Sequence, residues 1–341
     1  KSSAASDVYK RQEWQLGKKT MDEYGRISEE TAKAMKLIDP TIELVSCGSS
    51  FKDMPTFPQW EATTLEYNYD YVDYISLHQY YGNTSDDSCD YLASSDDMEE
   101  FIHTVISVCD YVKAKKRSKK QINLSFDEWN IWFHSKEEEE DITRNHPWQV
   151  APPLLEEHYN FEDALLVGLM MITLLKHADR IKIACLAQLV NVLAPIMTDA
   201  KGGVYKQTIY YPFLHASKYG RGVVLQTLCD TPSHETRGHG LIKDIVSVAV
   251  YQEEKEELTV FAVNRNLEEQ HVLEVDVRSF EGYEVLEKIE MVSEDLKAEN
   301  TLTQESVKPS VSREIQLSDG KVETVLKKAS WNVIRMGKVK R

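Results

Sequence analysis

The chain has 341 residues, enough for one large domain and a smaller one, and 42% of them are hydrophobic, which suffices to fill two cores. Forty basic residues against fifty-six acidic ones leave a net charge of −16, which opposes a polyphosphate partner, excludes nucleic acid and suits neutral substrates. The longest apolar run, near Ala164 to Leu175, contains Gly168 and stops at Lys176 and His177, too short to span a bilayer, so no membrane partner is expected. Five cysteines (Cys47, Cys89, Cys109, Cys185, Cys229) are an odd number without metal-ligand spacing. Cys47 and Cys185 lie in apolar strand contexts where a thiol packs as a small hydrophobe, and a reducing cytoplasm is the expected compartment.

Residues 1–12 are small, polar and patternless, and are expected to be a non-native junction. From Thr20 the spacing of Tyr24, Ile27, Ala34 and Leu37 predicts a helix, with Thr20 as its cap, Asp22 and Glu23 in its first turn, and Asp39-Pro40 as its stop. Ile42 to Cys47 follows as a strand, Gly48-Ser49-Ser50 as its turn, and Tyr71 to Leu77 as a second strand with His78, Gln79, Tyr80 and Tyr81 at its C-terminal end. Phe101, Val105, Val108 and Val112 give Met98 to Lys116 a helical period, and its basic tail suits a helix C-terminus.

Ile122 to Phe126 is a short apolar run that suits a buried parallel strand ending at Asp127 and Glu128. Ser135 to Tyr159 is predicted as a long polar loop, its acidic run Glu137 to Asp141 solvated rather than a cation site, and a substrate-covering role suits a loop of that length. Asn160 caps a helix from Phe161 to His177 that is apolar on all sides and therefore buried. Ile181 to Ala187 is a further strand. The strand-helix alternation implies parallel βα units. After Gly220-Arg221-Gly222 the pattern changes to alternating runs, Val246 to Val250, Leu258 to Val263, Val272 to Val277 and Trp331 to Met336, which predict an antiparallel all-β domain. No metal, phosphate-loop or repeat motif is present in the sequence.

The stretch Gln-Ile-Asn-Leu-Ser-Phe-Asp-Glu-Trp-Asn-Ile-Trp-Phe-His, from Gln121 to His134, places carboxylates at a strand end beside Trp129 and Trp132. Carboxylates cleave glycosidic bonds and flat aromatic faces hold sugar rings; the structural alternative is that Asp127 and Glu128 charge the N-terminus of a following helix. This stretch resembles the nucleophile segment of the family 51 glycoside hydrolases, the α-L-arabinofuranosidases. The resemblance continues through Trp14 to Arg26, Ile42 to Ser50, His78 to Asn83, Ala151 to Asp163, Ile181 to Thr198 and Thr208 to Gly222. Its most specific part is the order Ala-Pro-Pro-Leu-Leu-Glu-Glu, Phe-Glu-Asp-Ala-Leu-Leu, Ala-Gln-Leu-Val-Asn.

The resemblance implies an α/β fold: the C-terminal half of a (β/α)8 barrel over residues 13–220, then a jelly-roll-like β-sandwich over residues 221–341. It implies a retaining hydrolase that releases terminal α-L-arabinofuranosyl residues from arabinose-containing oligosaccharides, without cofactor, as a homo-oligomer and by family a hexamer. It also implies Glu128 as the nucleophile, with His78, Tyr80, Trp132 and Gln188 around the sugar. Tyr and Gln side chains have the donors and acceptors for that task, although a lone strand-end His or Tyr equally serves packing, as do Trp148 and Asn191. The family carries Asn-Glu a few residues before the Trp that matches Trp14. Tyr9 stands where that general acid should be and Glu13 is too close to replace it, so the acid is expected to be absent from this chain, and the chain to be folded at best in part and nearly inactive. A β-xylosidase or endoglucanase on the same scaffold, or a non-catalytic carbohydrate-binding fragment, are the alternatives.

Overall fold

The computed structural model describes residues 17–338. The first elements are α1 (Met21–Ile38), β1 (Val45–Ser46), α2 (Gln59–Asn68), β2 (Tyr74–Tyr81), α3 (Ser88–Leu92), α4 (Ser94–Lys115), β3 (Asn123–Ile131), α5 (Lys136–Asn145), α6 (Phe161–Lys176) and β4 (Ile181–Leu186). Next come β5 (Ile196–Thr198), β6 (Val204–Lys206), α7 (Tyr210–Tyr219), β7 (Val223–Leu225), β8 (Ser233–Thr236) and β9 (Gly240–Lys243). The chain continues as β10 (Ile245–Gln252), β11 (Glu257–Asn264), β12 (His271–Asp276), β13 (Tyr283–Val292), β14 (Ser310–Ser312), β15 (Ile315–Ser318), β16 (Lys321–Leu326) and β17 (Ser330–Lys338). These form two compact units. One comprises the described residues up to Tyr80 with Asp97–Asn130 and His177–Ala187; the other comprises Tyr81–Asp96, Ile131–Lys176 and the described residues from Gln188 onward.

Strands β1 to β4 form one sheet in that order, and the β1–β2 and β3–β4 pairs are parallel. In the first unit, α1 starts in a capping box: Glu23 N donates to Thr20 Oγ1 at 3.3 Å and Thr20 N to Glu23 Oε2 at 2.8 Å. Its buried residues are Tyr24, Gly25 and Ala32, while Ile27 and Leu37 are exposed. Tyr24 stacks on Trp60 of α2 at 5.3 Å, and together the two rings take the backbone of Cys47: its N–H donates to Tyr24 Oη at 2.8 Å, and its carbonyl accepts from Trp60 Nε1 at 3.0 Å. The strand predicted over Ile42 to Cys47 is only two residues long, and at its C-terminal end the N–H and carbonyl of Cys47 are taken by side chains rather than by a ladder. Helix α2 has little apolar period because it buries Glu61, Thr64 and Asn68 as well as Trp60 and Leu65.

Two other boundaries move. Strand β2 runs to Tyr81, so His78 and Tyr80 lie within it rather than beyond it, and β3 runs through Glu128 to Ile131 instead of ending there. Cys47 is buried as expected, but Cys185 is exposed, on the strand that ends the order of its sheet.

In the second unit the acidic run Glu137 to Asp141 is helical, in α5, where Glu137, Glu138 and Glu139 occupy the first turn and favour its N-terminal dipole; the expected loop is a helix there. Asn160 caps α6 reciprocally with Asp163: Asp163 N donates to Asn160 Oδ1 at 3.1 Å and Asn160 N to Asp163 Oδ2 at 2.9 Å. The four strands anticipated from alternation appear as β10, β11, β12 and β17, and the β10–β11 and β11–β17 pairs are antiparallel. A six-stranded sheet, ordered β14-β13-β17-β11-β10-β7, and a three-stranded one, β12-β16-β15, share one apolar cluster. Ala249, Val260, Ile334 and Met336 come from the first and Val322 from the second. Among the described residues no helix is long and apolar enough to cross a membrane.

Helix α6 packs on this β-rich part through Gly168, where a Cβ would stand 2.6 Å from Trp331 Cε3; Trp331 in turn stacks on Phe261 at 5.7 Å and donates from Nε1 to His215 Nδ1 at 3.0 Å. Gly to Ala normally strengthens a helix by about 1 kcal/mol. Here the added carbon overpacks a rigid ring, so Gly168→Ala is expected to destabilise by about 1–3 kcal/mol, read as a lower urea midpoint. Burial, and then the nearby Lys218 ammonium, push His215 from its ordinary 6.5 down to about 4. The unfolded chain binds this proton first, so stability should be full above about 6.5 and fall as pH drops towards 4, by on the order of 3 kcal/mol. His215→Gln keeps an acceptor for Trp331 and should flatten that slope in pH-dependent urea melts.

Candidate active site

The two residues that organise the site sit where β3 and β4 lose register. Phe126 pairs with Ala184 and Trp129 with Leu186, so β3 advances three residues while β4 advances two. The extra residue is a bulge at Asp127 and Glu128, a device that re-aims side chains otherwise alternating between faces. Both carboxylates consequently meet one imidazole: His78 Nε2 is 3.1 Å from Asp127 Oδ1, and His78 Nδ1 is 3.3 Å from Glu128 Oε2. On β2, Tyr80 follows His78 by two residues and shares its face, and its hydroxyl donates to Glu128 Oε2 at 3.3 Å.

The two carboxylates differ in setting. The Asp127 side chain is 5% exposed, and neither of its oxygens meets hydrogen-bond geometry with the described residues, its contact with His78 being off-axis. Glu128 is 36% exposed, open enough to meet a ligand while its Oε2 is held by a phenol and an imidazole. The end of β4 is latched to the same strand, because Asn130 Nδ2 donates to the Ala187 carbonyl at 2.7 Å and Ala187 N to the Trp129 carbonyl at 3.3 Å. An oriented, partly open carboxylate of this kind suits nucleophilic attack on an electrophilic carbon.

His78, Tyr80 and Glu128 therefore converge within the first unit. Trp132 and Gln188 belong to the second unit. There Trp132 is half-buried, its N–H donates to the Tyr81 carbonyl at 2.9 Å, and Lys136 Nζ lies 5.0 Å from its ring centre. Gln188 is exposed, and its N–H donates to the Leu193 carbonyl at 3.1 Å. Trp129 is fully buried and unavailable as a sugar platform, since the bulge returns the chain to the core immediately after Glu128. Trp148 is 98% exposed. Asn191 has a structural task, pairing with Thr198 through its amide at 2.8 Å (from Thr198 N) and 3.0 Å (to Thr198 Oγ1). Tyr9, Glu13 and Trp14 lie outside the described residues. Sequence inspection had the Asp-Glu pair but not its shared imidazole, because a bulge leaves no residue signature in an apolar run.

The family model and the curated relatives agree on one family. The α-L-arabinofuranosidase C-terminal domain family matches residues 127–330. A protein of Acetivibrio thermocellus named intracellular exo-α-(1→5)-L-arabinofuranosidase is 64% identical over 95% of this chain, and one of Bifidobacterium longum named exo-α-(1→6)-L-arabinofuranosidase is 38% identical over 95%. The chain spans 65% and 63% of the lengths of these two relatives. Among solved structures, a family 51 α-L-arabinofuranosidase from Bifidobacterium longum superposes with a TM-score of 0.89 at 34% identity, over 95% of this chain and 65% of that one. On these matches, which cover more than half of its residues, the chain belongs to the glycoside hydrolase family 51 α-L-arabinofuranosidases.

Proposed function

We propose that this chain carries the nucleophile half of a retaining, exo-acting α-L-arabinofuranosidase, and that Glu128 is the nucleophile. The observation that carries the proposal is the Glu128 carboxylate, partly exposed on a bulge and held at Oε2 by Tyr80 and His78. In the first step a Glu128 oxygen attacks the anomeric carbon of a terminal arabinofuranosyl unit. The bond to the leaving oxygen breaks, and a covalent glycosyl ester forms that water later hydrolyses. Tyr80 and His78 orient the carboxylate, and Trp132 and Gln188 contact the sugar. Arabinose-containing oligosaccharides are the proposed substrates, with α-(1→5) linkages favoured by the name of the 64% identical relative, and the cytoplasm is the proposed compartment by the same relative's name. A barrel portion over residues 13–220, a jelly-roll-like portion over residues 221–341 and homo-oligomeric assembly belong to the same proposal.

A retaining enzyme needs a second carboxyl about 5–5.5 Å from the first to protonate the leaving oxygen. By the resemblance, that family position falls on Tyr9, a phenol rather than a carboxylic acid. Loss of general acid catalysis costs about 10² to 10⁴ in rate, and it costs most when the leaving alcohol is poor. The chain should therefore react with activated aryl arabinofuranosides, whose leaving groups depart without a proton, and turn over arabino-oligosaccharides slowly. Equal turnover numbers on both substrate types would refute this part.

Incubation with a dinitrophenyl 2-fluoro-arabinofuranoside should leave a glycosyl ester on Glu128, mapped by peptide mass spectrometry, and the matching xyloside should not label. An ester on another carboxylate would overturn the assignment. A hydrogen bond to a charged group is worth about 1.5–3 kcal/mol, so Tyr80→Phe should slow labelling roughly ten- to a hundred-fold with the fold intact by circular dichroism. An unchanged labelling rate would make Tyr80 a packing residue.

A further inference from the structure

Outside the His78, Asp127 and Glu128 cluster, the first unit brings together three side chains with metal-binding chemistry. Glu99 and His103 lie one turn apart on α4 and therefore share a face, and His177 stands in the turn that leads into β4. Glu99 Oε1 is 3.8 Å from His103 Nε2 and 3.6 Å from His177 Nε2, and the three ligand atoms all fall within 4.8 Å of one another. The two imidazoles meet edge to face, with centroids 4.7 Å apart at 89°.

These separations are too long for hydrogen bonds, which centre near about 2.9 Å. Two ligands of a tetrahedral cation with bonds of about 2.0–2.1 Å stand about 3.4 Å apart, so the triangle is a slightly expanded face of such a tetrahedron. A shared proton would instead draw histidine and carboxylate into contact. This protein does that elsewhere, at 2.9 Å between His134 and Asp163 and at 2.6 Å between His234 and Asp244. A second observation points the same way: His177 is 9% exposed, and its Nε2 is buried without a hydrogen-bond partner, a lone pair kept from water and aimed at Glu99.

We propose that Glu99, His103 and His177 form a site for a divalent transition metal of the zinc class, with water as the fourth ligand. Two imidazoles and one carboxylate are the donor set that zinc accepts, whereas magnesium and calcium prefer oxygen alone. The His103 side chain is 61% exposed, which leaves an entry path and room for the water. Bound metal would tie α4 to the turn before β4, two segments 74 residues apart in sequence from His103 to His177. It would thus stabilise the unit that holds Glu128 without touching the reacting atoms.

The test is a titration of the metal-free 341-residue chain with zinc against a chromophoric chelator, and with cobalt(II) followed by its visible absorption. One saturable equivalent, a tetrahedral cobalt spectrum and a zinc-dependent rise in melting temperature are expected. His103→Ala and Glu99→Gln, both on the accessible side of the cluster, should each weaken binding at least tenfold and abolish the melting shift. Failure to saturate at millimolar zinc would overturn the proposal. So would a spectrum and affinity unchanged in both variants, which would place the metal on other groups such as the cysteine thiols.

Discussion

Between Phe126 and Trp129 the strand that carries Glu128 advances one residue more than its neighbour, and the candidate site depends on that offset. In a regular strand Asp127 and Glu128 would face opposite sides of the sheet, one towards the core and one towards the ligand. The bulge lets one histidine span both, and it also sends Trp129 back into the interior, where it is fully buried. The cost is a local break in the ladder, which the Asn130 amide and the Ala187 amide offset by tying β3 to the end of β4. Orientation of the Glu128 carboxylate is thereby built from backbone geometry rather than from a flexible loop.

The first unit applies the same economy of backbone groups at Cys47. Tyr24 and Trp60, on two different helices, take its N–H and its carbonyl at the end of a two-residue strand, and the helices are fastened to the sheet by these groups. Ser49 continues this pattern by donating its N–H to the buried Glu61 carboxylate at 2.7 Å. Hydrogen bonds to charged acceptors are among the stronger ones, and this one positions the segment whose Ser49 carbonyl accepts from His78 N at 3.2 Å.

In the second unit, burial of charge is managed at the first turn of α6. Glu162 and Asp163 are fully buried, and both are compensated: Glu162 by Asn83, Ser88 and the Lys297 ammonium, with Lys297 Nζ at 2.6 Å, and Asp163 by Tyr91, His134 and the Asn160 N–H. A carboxylate without such partners would cost several kilocalories per mole, so these contacts select one arrangement of the chain around the helix N-terminus. Farther along the same helix, Gly168 admits Trp331, and the fit there is steric rather than electrostatic.

The sequence alone determined the features that depend on local chemistry. Thr20 with Glu23, and Asn160 before an all-apolar run, set helix starts; alternation marked β10, β11, β12 and β17; and the Asp-Glu pair in its aromatic context, through resemblance, pointed to the family. Only the tertiary structure decided the rest. Strand ends depend on which partner takes each backbone group, so β1 was shorter and β2 and β3 longer than their apolar runs indicated. Helix α2 was illegible because its buried face is partly polar and is satisfied by residues distant in sequence, as when Glu61 serves Ser49 and Asn68 serves Ser46. The proximity of His177 to Glu99 and His103, and of His78 to two successive carboxylates, arises from packing of separate elements, and no periodicity along the chain encodes such a meeting.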